Sequence, residues 1–359
     1  MSNKSILAII LIIVAGVVYY FTKDKIDTAS KDETIKLGII YGYTGPIESL
    51  TPDMAKAAEL AITEVNNSGN FIAKKVEGVR ADSTCVDAAA ATSPALSDLP
   101  DNDLLCRTAP SDARQGVIIA ELLLQKGFKT AAMTYTNNDY GKGLADSIQK
   151  NYESRGGKIT ISASHEDGKG DYGAEAGALA QAGGDILIVA GYLDKGGKGV
   201  IQASLDAGSF KTFFLPDGMI GDSLPTAIGD DLNGSIGTVP GTDSPGANKF
   251  NEIAKSNNFK AGPYTKESYD SAALIMLAMQ AANSTNSNDF KSKVMDVANA
   301  PGEKIFPGEL AKGLKLLSEG KEIDYVGASA VELIGGGESA GNFAEILIDN
   351  QKVTTVGYK

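Results

Sequence analysis

Few residues of this sequence could carry out catalysis, and the types that most often do so are scarce. The chain has one histidine and two cysteines among 359 residues. This excludes a disulfide-rich scaffold, a zinc site of cysteine and histidine, and most histidine-based catalysis. His165 lies in the polar stretch SHEDG after an apolar run, and we interpret it as a solvated loop residue rather than a general base. The motifs GxxxxGK[ST], HExxH and CxxC are absent, so the sequence predicts a binding protein rather than an enzyme.

Composition and charge limit the partners further. Apolar residues make up 43% of the chain and charged residues 22%, which is an ordinary balance for a globular protein. Lys and Arg number 33 against 45 Asp and Glu, for a net charge of −12. A protein that binds nucleic acid needs a basic surface, so we exclude that class of partner. The length suggests two domains, at about 100–200 residues for each.

Apolar runs and helical patterns alternate along the chain. The runs at 35–41, 130–135, 159–163, 185–190 and 212–215 predict buried strands, and 54–65, 140–155, 172–182, 200–207 and 269–282 predict helices. Towards the carboxyl terminus, 342–348 and 352–356 alternate in polarity, and Asp349 and Asn350 between them predict a hairpin turn. The pattern is that of a doubly wound α/β fold, in which a ligand binds at the carboxyl ends of the strands.

The amino terminus carries a signal for the membrane. Residues 6–21 (ILAIILIIVAGVVYYF) contain no charge and are flanked by lysines. The segment is either a cleaved secretory signal or an uncleaved anchor. The small-residue cleavage pattern is poor, and Tyr19 and Tyr20 lie where interfacial aromatic residues are placed, so we favour the anchor, with 22–34 as a polar tether. Both alternatives predict that the protein is exported.

Several short segments, taken in order, resemble the type I periplasmic binding proteins, in particular the leucine/isoleucine/valine-binding family that serves ABC importers. Each segment is weak alone, but their order and spacing between residue 35 and about residue 282 are typical of that family. The segments are 35–38 (IKLG), 44–46 (TGP), 64–66 (EVN), 82–85 (DSTC), 91–96 (ATSPAL), 107–112 (RTAPSD), 115–116 (QG), 138–141 (NDYG), 191–192 (GY), 216–218 (PDG) and 267–270 (ESYD). The later segment 325–329 (YVGAS) is similar to the family's last crossover between lobes.

The resemblance implies a site for the backbone of a free amino acid. Thr92 matches the threonine that holds the ligand carboxylate through its hydroxyl and backbone amide, and Ala90 in the same turn is included in the implied site. Asp217 matches the acidic residue that holds the ligand ammonium, although the family more often has Glu there. Charge-assisted hydrogen bonds suit this contact. The alternative for Asp217 is a turn residue before Gly218.

The resemblance also implies the side chains that close over the ligand and line its pocket. Tyr140 and Tyr192 match tyrosines of the second lobe that cover the ligand, and the alternative for Tyr140 is packing at the start of a helix. Leu50 and Tyr264 fall at positions that line the pocket for the ligand side chain. Glu48 and Ser49 in the first loop face either polar ligand groups or solvent. These residues indicate an apolar or mixed pocket and no particular amino acid.

The sequence departs from the family in one place. Between Cys85 and Thr92 the family has a longer segment with a helix, two strands and a carboxylate-binding serine, and this sequence omits it. We therefore expect the first lobe to lack about two strands. The segment would also supply the usual partner of Cys85, so Cys85 and Cys106 either form a disulfide or remain separate thiols.

Taken as a whole, the resemblance implies an extracytoplasmic solute-binding component of an ABC importer. It would capture a branched-chain or related amino acid between two doubly wound lobes joined by a three-strand hinge, and deliver it to a membrane permease. We expect a monomer without a cofactor or metal. The implied division is 1–33 as membrane segment and tether, 34–111 plus 244–326 as the first lobe, and 112–243 plus 327–359 as the second. The alternative is a sensory ligand-binding domain of the same fold.

Overall fold

The computed structural model describes residues 33–83, 92–98 and 100–359, in which strands and helices alternate along most of the chain. The strands are β1 (Thr34–Tyr41), β2 (Lys75–Asp82), β3 (Thr130–Thr136), β4 (Lys158–His165), β5 (Ile186–Ala190), β6 (Phe213–Leu215), β7 (Ile236–Pro240), β8 (Glu303–Ile305), β9 (Ile323–Tyr325), β10 (Leu333–Ile334), β11 (Glu338–Ser339), β12 (Phe343–Asp349) and β13 (Lys352–Tyr358). The helices are α1 (Thr51–Ser68), α2 (Asp112–Gln125), α3 (Asp139–Ser154), α4 (Gly173–Ala182), α5 (Gly196–Asp206), α6 (Ser223–Ile228), α7 (Pro245–Ser256), α8 (Thr265–Ala282), α9 (Ser287–Ala298) and α10 (Leu310–Ser318).

The second lobe is built on a seven-stranded sheet in the order β13-β12-β7-β6-β5-β3-β4. Strands β3 to β7 run parallel, and β12 pairs antiparallel with both β7 and β13. All five residues of β5 are buried, as its continuous apolar run predicts for a central parallel strand. One apolar cluster packs α2 and α3 on one face, and another packs α4, α5 and α6 on the other. This sheet is doubly wound, as predicted.

The first lobe has its own core, in which α1 packs against α8 and α10, and α9 packs against α8. The buried face of α1 consists largely of alanines, which allow close approach to α8. Strands β1 and β2 form a parallel pair, and β8 and β9 form another. Among the described residues the sheet of β1 therefore has two strands. Residues 84–91, where the family carries its longer segment, lie outside the described residues, as does Cys85.

The segment 325–329, predicted as part of the last crossover between the lobes, is held by a buried carboxylate of the first lobe. In the last crossover, Asp270 of α8 accepts hydrogen bonds from the Tyr325 hydroxyl at 2.7 Å, the Ala328 amide at 2.8 Å, and the Ser329 amide and hydroxyl at 2.7 and 2.6 Å. Burial raises the pKa of Asp270 to about 6, although these four donors lower it. One buried carboxylate thus fixes the loop 325–329. The predicted residue boundaries of the lobes stay a prediction.

The carboxyl-terminal hairpin differs from its prediction by one residue. Strand β12 continues through Asp349, and the two-residue loop is Asn350 and Gln351, with φ of 50° and 58°. Two successive positive φ values are what a tight two-residue hairpin requires, because that turn matches the twist of the strands. No helix within the described part of the chain is long and apolar enough to cross a membrane. The predicted membrane segment, 6–21, lies outside that part.

Candidate ligand-binding site

The candidate site is centred on a buried carboxylate at the carboxyl ends of the second lobe's strands. Asp217 begins a short 3-10 helix, Asp217–Met219, directly after β6, and is 3% exposed. Its Oδ1 accepts a hydrogen bond from the Tyr140 hydroxyl at 3.0 Å, and its Oδ2 accepts one from the Tyr264 hydroxyl. The structure therefore brings three of the predicted site residues together. Burial raises the pKa of Asp217, and the bonds from Tyr264 and then Tyr140 partly lower it.

Tyr140 and Tyr192 form an aromatic wall beside this carboxylate. Their rings are stacked with centroids 5.2 Å apart and an interplanar angle of 23°, and each side chain is 3% exposed. The Asn138 amide donates to the Tyr192 hydroxyl at 3.1 Å, and the Gly218 amide donates to the Tyr140 hydroxyl at 3.2 Å. Position 218 has no room for a side chain, because a Cβ there would lie 2.7 Å from the Tyr140 hydroxyl and 2.5 Å from the Gly191 carbonyl oxygen.

Thr92 lies in a turn that is held against the start of α2. It is buried, and its carbonyl accepts a hydrogen bond from the Asp112 amide at 2.8 Å. Arg107 supports the same turn by donating to the Ser93 carbonyl at 2.8 Å, while its Nε donates to Glu338 at 3.1 Å. This turn thus lies at the amino-terminal end of a helix, where an anion is stabilised. Ala90, the other predicted residue of the turn, lies outside the described residues.

Two polar residues near the site were not singled out from the sequence. Asp112, in the first turn of α2, is 1% exposed, and the Thr92 side chain lies close enough to its carboxyl group to lower the pKa of that group. Burial raises its pKa well above the ordinary value, and the charge of Asp217 raises it further. Gln115 lies one turn later, donates to the Thr238 hydroxyl at 3.2 Å and helps to lower the pKa of Asp217. The signal available in the sequence was the spacing of Asp112 and Gln115, because residues at i and i+3 of a helix lie on the same face.

Leu50 occupies a neighbouring position rather than the carboxylate site. It lines a cavity of about 380 Å³ together with Ser49 and Gly221, and that lining contains none of Asp217, Tyr140 and Tyr192. Leu50 also packs against the core of the second lobe. Its assignment to the pocket of the ligand side chain stays a prediction.

The loop that carries Ser49 joins the two lobes. The Ser49 amide and hydroxyl donate to Oδ2 of Asp194 at 3.2 and 2.7 Å. The Asp194 amide in turn donates to the Pro46 carbonyl at 3.3 Å, and the Ser223 hydroxyl donates to Oδ1 of Asp194 at 2.7 Å. Ser49 therefore faces Asp194 of the second lobe. The contact between the loop 46–50 and Asp194 was not predicted, because its partners are 145 positions apart in the sequence.

The interpretation of His165 as a solvated loop residue is wrong. His165 is the last residue of β4 and is 1% exposed, and its Nδ1 lies 2.9 Å from the Thr134 hydroxyl. It is buried because the Tyr172 ring packs edge-on against it at 6.4 Å between ring centroids. Burial lowers the pKa of this imidazole. Within the described ranges, no group of three or more His, Cys, Asp or Glu residues could hold a metal ion.

Two α/β lobes with a buried carboxylate and tyrosines at the carboxyl ends of the strands are typical of a protein that binds a small molecule. The sequence matches the family described as "Receptor family ligand binding region" over residues 85–331. The chain belongs to this family, and within it to the type I periplasmic binding proteins of the leucine/isoleucine/valine-binding branch. This branch consists of substrate-binding proteins and not of enzymes.

Individual relatives and solved structures agree with this assignment. The chain is 28% identical to the Leu/Ile/Val-binding protein homolog 1 of Brucella abortus (strain 2308), over 75% of this chain and 82% of that protein. Its fold is similar to that of the leucine binding protein LivK of Thermotoga maritima, with a TM-score of 0.73, 16% identity, and coverage of 90% of this chain and 98% of that one. It is also similar to LivJ of Streptococcus pneumoniae in complex with isoleucine, with a TM-score of 0.72 and 19% identity. The match covers 91% of this chain and 99% of that one. The predicted family and fold are confirmed.

Proposed function

We propose that this protein captures a free amino acid between its lobes outside the cytoplasmic membrane and delivers it to the permease of an ABC importer. The observation that carries the proposal is the buried carboxylate of Asp217, with two tyrosine hydroxyls directed at it. A buried carboxylate is stable when a cation or hydrogen-bond donors face it, and a ligand ammonium supplies both.

The remaining groups suit the other parts of an amino acid. The Thr92 turn at the start of α2 would hold the carboxylate with hydroxyl and amide donors. The stacked Tyr140 and Tyr192 would cover the aliphatic part of the ligand with their rings. Relatives named for leucine, isoleucine and valine support a branched-chain or related ligand.

The mechanism in this proposal is hinge closure. Asp217, Tyr140 and Tyr192 belong to the second lobe, with 112–243 and 327–359, whereas Tyr264 precedes α8 of the first lobe, with 34–111 and 244–326. A ligand that contacts both lobes stabilises the closed form, because only there are all its contacts made. The closed monomer would then dock on the permease. The uncleaved segment 6–21 would tether it to the membrane.

Isothermal titration of the purified full-length chain with a panel of amino acids tests the proposal. We expect one or more aliphatic amino acids to bind, and Asp217→Ala to weaken that binding by more than tenfold, since hydrogen bonds to charged groups contribute about 1.5–3 kcal/mol. The control is Asp146→Ala on the outer face of α3, where the carboxylate is 66% exposed and paired with Lys142. No binding by the folded protein across the panel, or unchanged affinity in Asp217→Ala, would contradict the assignment.

A sensory role for the same fold remains the alternative. Binding would be identical in both cases, so the second measurement is uptake. Deletion of the gene should abolish uptake of the bound amino acid by whole cells if the protein serves an importer. Normal uptake together with loss of a behavioural response to the amino acid would favour the sensory role.

A further inference from the structure

A buried arginine supports the Thr92 turn from behind. The side chain of Arg107 is buried, its Nη1 donates to the Ser93 carbonyl at 2.8 Å, and its Nη2 donates to the Ser97 hydroxyl at 2.9 Å. Nε, at 3.1 Å, and Nη2 also donate to Oε2 of Glu338. A buried guanidinium is costly unless a carboxylate and further acceptors face it. These acceptors therefore allow Arg107 to be buried at this place.

The backbone also holds Glu338 next to Arg107. The Arg107 amide donates to the Gly337 carbonyl at 2.8 Å, and Pro110 forms a parallel β-bridge with Ser339. The chain before α2 and strand β11 therefore lie side by side. The predicted division of the chain assigns Arg107 to the first lobe and Glu338 to the second. Under that division, the ion pair joins the two lobes.

The Thr92 turn is thus held from two directions. The Thr92 carbonyl accepts a hydrogen bond from the Asp112 amide at 2.8 Å, and Arg107 bonds the Ser93 carbonyl and the Ser97 hydroxyl. Hydrogen bonds from a charged donor are stronger than neutral ones, and the planar guanidinium fixes their direction. The position of the Thr92 hydroxyl and amide therefore depends on Arg107 as well as on α2.

The donors of Arg107 are directed at the protein rather than at a ligand. The bonds to Glu338, Ser93 and Ser97 use the N–H groups of Nε and Nη2 and one N–H group of Nη1. An arginine that bound a ligand carboxylate directly would present a fork of two donors to it. Arg107 therefore acts on the site through the turn.

We propose that Arg107, paired with Glu338, is the positioning residue of the carboxylate subsite and holds the Thr92 turn where its hydroxyl and amide face the ligand carboxylate. This inference rests on the proposed function and deepens it. If the turn shifts, the ligand loses bonds to its carboxylate and keeps the contacts to its ammonium and side chain. Selection of ligands with a free carboxylate therefore depends on Arg107, although Arg107 does not touch the ligand.

The test compares an amino acid with its amide on the full-length protein. The probes are L-leucine, or the panel member that binds most tightly, and the same amino acid with a neutral carboxamide in place of its carboxylate. Calorimetry measures the acid, and displacement of the acid measures the weaker amide. We call the ratio of the two affinities the carboxylate preference. We expect the wild-type protein to have a carboxylate preference of about tenfold or more, because the carboxylate accepts charge-assisted hydrogen bonds.

Arg107→Gln should weaken binding of the acid by about tenfold and change binding of the amide by less than about twofold, since only bonds to the carboxylate are lost. A general loss of structure would weaken both ligands alike. The matched control is Arg155→Gln after α3, where the guanidinium is 35% exposed and pairs with Glu121 at 3.5 Å. This variant should keep both affinities.

Conservative variants test the ion pair itself. Arg107→Lys keeps the charge but loses the planar fork of donors, and Glu338→Gln keeps the shape but loses the charge. We expect each to lower the carboxylate preference by about threefold or more. The double variant Arg107→Gln with Glu338→Gln should be no worse than Arg107→Gln alone, because the two side chains act as one unit.

The outcomes separate the inference from the proposed function. If Arg107→Gln weakens the acid and the amide by the same factor, or if the wild-type protein binds both equally, the positioning role is overturned while the proposed function stands. If no amino acid of the panel binds, the proposed function fails and the positioning role fails with it. If Arg107→Gln does not fold, Arg107→Lys and Glu338→Gln decide, and a wild-type carboxylate preference in both overturns the inference.

Discussion

Substitutions that remove the contact between Ser49 and Asp194 should weaken ligand binding indirectly, without changing a contact to the ligand. Asp194 accepts two hydrogen bonds from Ser49 of the first lobe, from the hydroxyl at 2.7 Å and the amide at 3.2 Å. Hydrogen bonds to a charged acceptor contribute about 1.5–3 kcal/mol when buried. Ser49 is exposed and Asp194 half-buried, so we take about 1 kcal/mol for each bond.

The two bonds can be removed separately. Ser49→Ala deletes the hydroxyl bond only, and we expect affinity to fall about fivefold, whereas Asp194→Ala deletes both bonds and should cost about thirtyfold, because 1.4 kcal/mol corresponds to a factor of ten. The assay is calorimetry with the amino acid identified in the panel, together with small-angle scattering of the free and bound protein. We expect Asp194→Ala to shift the free protein towards a more open form.

Asp194 also bonds the Ser223 hydroxyl of its own lobe at 2.7 Å, so the matched control is Ser223→Ala. That variant should keep wild-type affinity if the bonds between lobes are what matter. Equal losses in Ser223→Ala and Ser49→Ala, or wild-type affinity in Asp194→Ala, would refute the reasoning. A double-mutant cycle of Ser49→Ala and Asp194→Ala should give a coupling free energy of about 1 kcal/mol.

Three further outcomes follow from the buried groups. Gly218→Ala should lower the free energy of unfolding by about 1–3 kcal/mol and weaken ligand binding, because the added Cβ would lie 2.5 Å from the Gly191 carbonyl oxygen and 2.7 Å from the Tyr140 hydroxyl. Asp270→Ala should lower the free energy of unfolding by about 4 kcal/mol in denaturant, since it leaves two buried and two half-buried donors without an acceptor, and a buried donor without a partner costs about 1–3 kcal/mol. The imidazole resonances of His165 should titrate below the ordinary value of about 6.5, so stability from this residue is full above that pH and is lost on acidification.

Each of these expectations has a control. Gly177→Ala in α4 adds a Cβ that meets no atom within 4 Å, so it should be neutral or stabilise by up to about 1 kcal/mol. Ser318→Ala, at the end of α10, removes a single exposed hydrogen bond and should leave unfolding almost unchanged, in contrast to Asp270→Ala. His165 is the one histidine of the chain, so its resonances need no assignment, and a midpoint at or above about 6.5 would contradict its burial.

Local sequence was sufficient for the strands at the centre of the sheet. All five residues of β5 are apolar and buried, because both faces of a central parallel strand are buried. β7 was not evident, since its sequence IGTVP is interrupted by Gly237, Thr238 and Pro240. It is a strand because β6 and β12 pair with its two edges, and the second of these partners lies far along the chain.

The site was predictable only in part. Asp217, Tyr140 and Tyr264 were assigned through the family resemblance, since by itself Asp217 before Gly218 indicates no more than a turn. Asp112 and Asp194 were missed because their roles depend on partners that are distant in sequence, such as Asp217 and Ser49. No local pattern reports which distant groups will meet a buried carboxyl group. The error at His165 is of the opposite kind. Its local sequence is polar and predicted a solvated loop, but the residue is the buried last residue of a strand.

The pairing of β12 with β7 has a consequence for how the second lobe could be isolated. A fragment of residues 112–243 would expose the outer edge of β7, which is otherwise covered by five residue pairs from Phe343–Pro240 to Leu347–Ile236. An uncovered central strand invites pairing between molecules and aggregation. Expression of this lobe alone therefore calls for a circular permutation that places 341–359 before residue 112 through a short linker.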